Sequence, residues 1–116
     1  MKRNLKRVAI PTNMGFDYIP VDGIVYCRAS GNYTQLVFKE GQLLITRSLK
    51  EMEKHLLTFN FIRIHHSYLI NLDHLERYFK GGGGAVEMSN GEKLPVAKSK
   101  KLAFMGEVFG ERTVIR

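Results

Sequence analysis

A short central segment of the chain carries polar side chains that could contact a ligand. Residues 61–71 read FIRIHHSYLIN, in which apolar residues alternate as they do in a strand. A polar cluster is set into this alternation, made of Arg63, His65, His66, Ser67 and Asn71. Guanidinium, imidazole, hydroxyl and amide groups supply both hydrogen-bond donors and acceptors. The segment is therefore a candidate for recognition of a polar ligand.

The charge of the chain indicates the class of that ligand. Eighteen Lys and Arg residues against eleven Asp and Glu residues give a formal net charge of +7. A basic domain of this size suits a polyanionic partner such as DNA, RNA or an anionic membrane, although basicity alone does not choose among them. We expect no cofactor.

Length and cysteine content indicate the type of protein. The chain has 116 residues, enough for one domain with a core. Residues 1–7, which include four cations, are predicted to be a basic linker or disordered arm, and residues 8–116 a single domain. No signal peptide or long apolar run is apparent. Cys27 is the only cysteine, which agrees with a cytoplasmic location, and we expect it to be a buried apolar residue.

The positioning elements are mostly predicted to be strands. Short apolar runs are separated by turn residues, and Asn90-Gly91 is a strong hairpin signal because both residues tolerate positive φ. Gly81 to Gly84 is predicted to be a flexible hairpin tip, since it lacks the ending of a phosphate-binding loop. The predicted strands cover residues 8–10, 16–19, 24–27, 33–38, 43–46, 85–88 and 93–96.

Two segments have helical spacing. Ser48 and Glu51 form a capping box, and an apolar stripe follows it through residue 57. A second helix is predicted over residues 99–108. The residues expected to be buried are Leu49, Met52 and Leu56 in the first helix, Leu102, Met105 and Phe109 in the second, and Phe61 and Tyr68 in the central segment. Because about forty residues separate the helices, a helix-turn-helix is disfavoured.

The central segment resembles the F-x-R-x-H-x-S-[YF]-x-[VI]-N core of the LytTR domain, the DNA-binding module of one class of bacterial response regulators. Residues 48–52 (SLKEM) precede it at the family's spacing, and residues 94–98 (LPVAK) follow where the family has i-P-V-S-R. The resemblance runs from about Val21 to Val108. It implies a mostly β fold of small antiparallel sheets packed in series with one or two short helices.

The resemblance also implies a function. It is sequence-specific binding of double-stranded DNA by a two-component transcription regulator, with loops in successive major grooves. The family commonly binds tandem repeats as two copies. The chain is either a free-standing regulator or a fragment of a larger response regulator, in which case a receiver domain is a further partner. Implied base contacts are Thr34, His66 and Lys98. Implied phosphate contacts are Asn32, Tyr33, Arg47, Ser67, Ser99, Lys100 and Lys101.

Three details of this assignment depend on single residues. His65 is expected to face the side opposite His66 and to pack inward, hydrogen-bonded to backbone or to Arg63. Lys98 stands where the family usually has Arg, so base reading there should be weaker or differently aimed. Ala97 stands where the family tends to have Ser, so the helix cap falls to Ser99 or is missing.

Other functions are less consistent with the sequence. The four histidines, His55, His65, His66 and His74, lack the spacing of zinc sites, and the scattered carboxylates do not suggest an enzyme. The main alternative is a small β-barrel that binds single-stranded nucleic acid or RNA by stacking bases on aromatic rings. Tyr33 is the only clear loop aromatic for such stacking. A protein-interaction module with incidental basicity is a third possibility.

Overall fold

The computed structural model of the chain describes residues 6–110, and in this range strands predominate. The mostly β architecture of small antiparallel sheets is therefore confirmed. The strands are β1 (Arg7–Thr12), β2 (Gly15–Pro20), β3 (Tyr26–Ser30), β4 (Tyr33–Phe38), β5 (Gly41–Ile45), β6 (Phe61–His65), β7 (Tyr68–Asn71), β8 (Leu75–Phe79), β9 (Ala85–Met88) and β10 (Lys93–Pro95), and the helices are α1 (Leu49–His55) and α2 (Lys101–Phe109).

A five-stranded antiparallel sheet forms the centre of the fold, in the order β5-β4-β3-β7-β6. Neighbouring residues of β3 point to opposite faces of this sheet, so Cys27 enters one buried cluster and Tyr26 the other. The β1–β2 hairpin and α1 cover the Cys27 face, whereas the three-stranded sheet β10-β9-β8 and α2 cover the Tyr26 face. Cys27 is fully buried as expected, and burial raises the pKa of its thiol.

The predicted hairpins are all present, but one turn differs in detail. Gly91 has a φ of 89°, while no residue other than glycine has positive φ within the described range. Asn90 therefore does not use the left-handed conformation that made it a turn signal, and four residues separate β9 from β10. The Gly81–Gly84 stretch joins β8 to β9 as predicted, and Gly84 is held at a φ of 105°.

The first helix forms as its capping box predicts. The backbone N–H of Glu51 donates to the Ser48 hydroxyl at 3.2 Å, and the Ser48 N–H donates to the Glu51 carboxylate at 3.2 Å. Leu49, Met52 and Leu56 are buried against the sheet, as expected. The helix ends at His55, two residues earlier than predicted.

The buried face of the second helix differs from the prediction. Leu102 is 86% exposed and Phe109 is also exposed, whereas Phe104 is 1% exposed. Phe104 packs into the second cluster together with the half-buried Met105 and Val108. This helix has apolar residues on two faces, so helical spacing alone allowed either choice. The prediction that Leu102 belongs to the core is wrong.

The start of this helix has no side-chain cap. A short 3-10 turn over Lys98–Lys100 precedes it, and neither Ala97 nor Lys100, the residues before the two helical segments, makes a side-chain cap hydrogen bond. Of the two expected outcomes, a cap at Ser99 or a missing cap, the structure has the missing cap.

Two further predictions need adjustment. The predicted arm extends too far towards the C-terminus. Arg7 of β1 pairs with Pro20 of β2, and the Lys6 carbonyl accepts the Val21 N–H at 2.9 Å. Residues 1–5 of that arm lie outside the described range. Phe61 and Tyr68 pack against the two clusters but remain half-buried. Within residues 6–110 no helix is long and apolar enough to cross a membrane.

Candidate nucleic-acid interface

The antiparallel order of the central sheet gathers several turns at one end. At this end β5 finishes at Ile45, β4 starts at Tyr33, β3 finishes at Ser30, β7 starts at Tyr68 and β6 finishes at His65. The backbone N–H of Ala29 donates to the Ser67 carbonyl at 2.9 Å, which ties the β3–β4 turn to the β6–β7 turn. The turn that carries the predicted contacts Asn32 and Tyr33 therefore lies beside the turn that carries His66 and Ser67.

The predicted contacts in residues 98–101 lie at the same end of the molecule. The Ala97 N–H donates to the Ile64 carbonyl at 2.8 Å, one residue before β6 finishes. This bond sets the start of the Lys98–Lys100 turn beside the edge strand. We call residues 31–33, 46–48, 66–67 and 97–101 the loop end of the domain.

The loop end is basic and accessible to a ligand. Asn32, Tyr33, His66, Lys98 and Ser99 are exposed. Arg47, Ser67, Lys100 and Lys101 are half-buried. The nearest carboxylates that form ion pairs there come from α1, where Glu51 lies 3.6 Å from Arg47 and Glu53 lies 2.7 Å from Arg63. A positively charged surface made of turns suits a polyanion.

The His65–His66 pair is arranged differently from the prediction. The two rings are stacked, with centroids 4.5 Å apart and planes at 30°, so they lie on the same side. Strand alternation fails here because β6 ends at His65 and its pairing with β7 shifts register between Arg63 and His65. The expectation of opposite sides is wrong, whereas the expected bond to backbone is present: His65 Nδ1 accepts the Ser67 N–H at 3.0 Å.

This bond sets the tautomer of the neutral His65 ring. Burial lowers the pKa of His65, and the neighbouring His66 and Arg63 lower it further. A neutral ring whose Nδ1 accepts a hydrogen bond carries its proton on Nε2. His65 therefore acts as an uncharged support for the turn at neutral pH.

A family comparison bears directly on the loop end. The model of the LytTr DNA-binding domain matches residues 16–107, a range that contains every candidate contact residue from Asn32 to Lys101. The chain belongs to the LytTr DNA-binding domain family. The first strand precedes the match, and the β1–β2 hairpin is only partly inside it.

Relatives agree with this assignment. The LytTr DNA-binding domain of a protein described as a methyl-accepting/DNA response regulator, from Bacillus cereus, has a similar structure, with a TM-score of 0.74 and 26% identity over 90% of this chain and 98% of that one. The CO-responsive transcriptional regulator RcoM of Rhodospirillum rubrum is 24% identical over 105 residues, which are 88% of this chain. The match spans 44% of that regulator, less than half of its length.

The structure corrects one predicted contact of this LytTr domain. Thr34 is fully buried, and its hydroxyl donates to the Arg47 carbonyl at 2.8 Å. Its neighbour Tyr33 points outward, because successive residues of a strand face opposite sides. Thr34 therefore holds the segment after β5 in place and is removed from the candidate base contacts.

Loss of the Thr34 hydroxyl is expected to reduce stability and leave base preference unchanged. Thr34→Val keeps the shape but leaves the Arg47 carbonyl without its buried donor, at a cost of about 1–3 kcal/mol in the free energy of unfolding. Thr34→Ser is the control, since it keeps the hydroxyl. Urea denaturation and binding-site selection measure the two quantities. A new base preference at unchanged stability would return Thr34 to the interface.

Arg47 lies at the edge of the loop end towards the β1–β2 hairpin. Besides its pairing with Glu51, its Nε donates to the Pro11 carbonyl at 3.5 Å. Its side chain is still partly exposed. The guanidinium is thus held at the surface where it can reach a phosphate.

Sequence reasoning missed how two residues, Arg63 and Glu53, shape the loop end. Arg63 belongs to the polar cluster of the central segment, but its contacts with the turn depend on backbone geometry. Glu53 has no motif of its own, and it reaches Arg63 only because α1 packs beside β6. Only a packed structure could reveal this pair.

Proposed function

We propose that this chain is the DNA-binding part of a bacterial transcription regulator, which reads double-stranded DNA in the major groove with its loop end. The observation that carries the proposal is the convergence, at one end of the sheet, of four separate segments that carry polar and basic side chains. Because genomic DNA is the proposed ligand, we also propose that the chain acts in the cytoplasm, either as a free-standing regulator or joined to a receiver domain in a response regulator.

The residues divide by chemistry. His66 and Lys98 are exposed side chains with donors that can reach guanine O6 and N7, so we propose them as base contacts. Phosphate contacts are proposed for polar and basic groups around them, which fix register without reading sequence. These are Asn32, Tyr33, Arg47, Ser67, Ser99, Lys100 and Lys101.

The mode of DNA binding is proposed from the family resemblance. We propose that turns of one copy reach successive major grooves, and that two copies occupy tandem repeats. Titration of duplexes carrying one or two copies of the selected site tests the second point.

The decisive experiment is selection of sites from a randomised duplex pool, followed by binding to the selected duplex, to each of its single strands and to the matching RNA. A regulator of this kind should prefer the duplex. Tighter binding to a single strand or to RNA would favour the stacking alternative, with the exposed Tyr33 as its platform.

Affinity for the duplex is expected to fall steeply with salt, by about −0.9 in the log–log slope for each phosphate neutralised. Lys101→Ala should weaken binding to all duplexes and flatten the slope by roughly one unit. Lys39→Ala is the matched control, because Lys39 is an exposed lysine in the β4–β5 turn at the opposite end of the sheet. Equal slopes for the parent and Lys101→Ala would remove Lys101 from the phosphate contacts.

A further inference from the structure

The guanidinium of Arg63 is bonded to the backbone of the β6–β7 turn. Its Nε donates to the His65 carbonyl at 2.8 Å, and its Nη2 donates to the His66 carbonyl at 2.7 Å. The remaining edge of the group is occupied by Glu53, which accepts from Nη1 at 2.7 Å. Arg63 thus links α1 to two successive peptide groups of the turn.

These bonds act where the sheet itself gives little support. β6 is an edge strand, and its pairing shifts register between Arg63 and His65. A planar guanidinium is suited to hold two neighbouring acceptors because its donors have fixed directions. The position of the His66 backbone therefore depends on where the guanidinium is held.

Glu53 sets the orientation of that guanidinium. The Arg63 side chain is 18% exposed and the Glu53 side chain 41% exposed, so the carboxylate is accessible to water while the arginine is mostly enclosed. A carboxylate near a DNA-binding surface repels phosphate. The charge of Glu53 should therefore weaken the attraction of DNA to this surface. Any favourable effect of Glu53 on DNA binding must come from its bond to Arg63.

We propose that Glu53 is a positioning residue for sequence discrimination: through Arg63 it fixes the turn that presents His66 to the bases. This inference deepens the proposed function and rests on it. Glu53 touches no DNA in this arrangement, and its effect is transmitted by the Arg63 fork. Removal of the Glu53 charge should tighten binding to the preferred duplex if only charge matters. It should weaken that binding if Glu53 positions the turn.

The test compares the preferred duplex with a random duplex of equal length at one salt concentration. For Glu53→Gln, binding to random duplex should be unchanged or tighter because a negative charge is removed. Binding to the preferred duplex should weaken by about 2- to 5-fold, the equivalent of a partly exposed ion pair. Glu53→Asp keeps the charge but shortens the reach, so it should lose the same discrimination with random binding unchanged.

Two controls separate positioning from charge and from stability. Glu87→Gln removes an equal charge and an ion pair, with Arg77, in the β8–β9 pairing of the other sheet, and should change both affinities by the same factor. Melting temperatures confirm that the variants are folded. In a double variant with His66→Ala, Glu53→Gln should cost no further discrimination, because its effect passes through His66.

The outcomes distinguish this inference from the proposed function. If Glu53→Gln changes both affinities by one factor, or if Glu53→Asp behaves as the parent, the inference is overturned while DNA binding stands. An additive loss in the double variant would also overturn it, since Glu53 would then act by another route. If the parent itself prefers no duplex sequence, the proposed function fails and the inference fails with it.

Discussion

His66→Ala is expected to lower affinity for the preferred duplex by about 1–3 kcal/mol, which is the worth of one good base contact, with a much smaller loss on random duplex. The ring is exposed, and Arg63 holds the backbone of the turn through the carbonyl of residue 66. Removal of the ring should therefore leave the fold intact. Measurement of both affinities and of the melting temperature tests the assignment.

His65→Ala is the matched comparison, one residue away in the same turn. Its Nδ1 accepts the Ser67 N–H, and its ring contacts Tyr68 with centroids 5.5 Å apart. We expect a lower melting temperature and a loss of affinity for both duplexes alike. If His65→Ala relaxed specificity while His66→Ala unfolded the protein, the two histidines would have exchanged roles.

The stacking of the His65 and His66 rings affects how the two variants should be compared. Because the rings lie 4.5 Å apart, loss of His65 also removes the surface on which His66 rests. The discrimination ratio, measured on folded protein, is therefore the quantity that separates them. A small change in this ratio for His65→Ala and a large one for His66→Ala is the expected pattern.

Local features of the fold could be predicted from the sequence because they depend on a few neighbouring residues. The capping box needs only Ser48 and Glu51, three positions apart, and the structure contains both of its hydrogen bonds. Gly31, at a φ of 61°, forms the turn between β3 and β4, in the interval between the strands predicted over residues 24–27 and 33–38. Hairpins and caps of this kind do not require knowledge of the remaining chain.

The predictions were wrong at positions where contacts between distant parts of the chain decide between two possible local arrangements. Strand alternation allowed either Tyr33 or Thr34 to face outward, and burial of Thr34 under the Arg47 carbonyl settled it. The register shift at the end of β6 turned His65 towards His66, although two adjacent strand residues would normally diverge. Neither outcome has a signal in the neighbouring residues.

In the candidate site, too, local features could be predicted from the sequence and long-range contacts could not. The family resemblance implied contacts in residues 32–33, 66–67 and 98–101, and the structure brings these segments together through the Ala29–Ser67 and Ala97–Ile64 hydrogen bonds. Those bonds join backbone groups far apart in the chain, which residue types do not encode. The contacts of individual side chains with DNA remain a prediction.

The largest expected loss of stability comes from Phe104→Ala. The ring is 1% exposed and lies 5.8 Å from the Tyr78 ring, within the second buried cluster. Removal of a buried phenylalanine ring typically costs about 3–5 kcal/mol in the free energy of unfolding. Denaturation in urea measures this loss of unfolding free energy. The start of α2, which carries Lys101, should also be held less firmly against the sheet.

Leu102→Ala provides the control, because Leu102 lies in the same helix but on its exposed face. An exposed leucine replaced by alanine should change stability by no more than about 0.5 kcal/mol, and alanine is the better helix former. The reverse result, a large loss for Leu102→Ala and a small one for Phe104→Ala, would mean that the helix docks through its opposite face. Lys100 and Lys101 would then point away from the loop end. Their proposed phosphate contacts would be wrong together with the assigned packing of the helix.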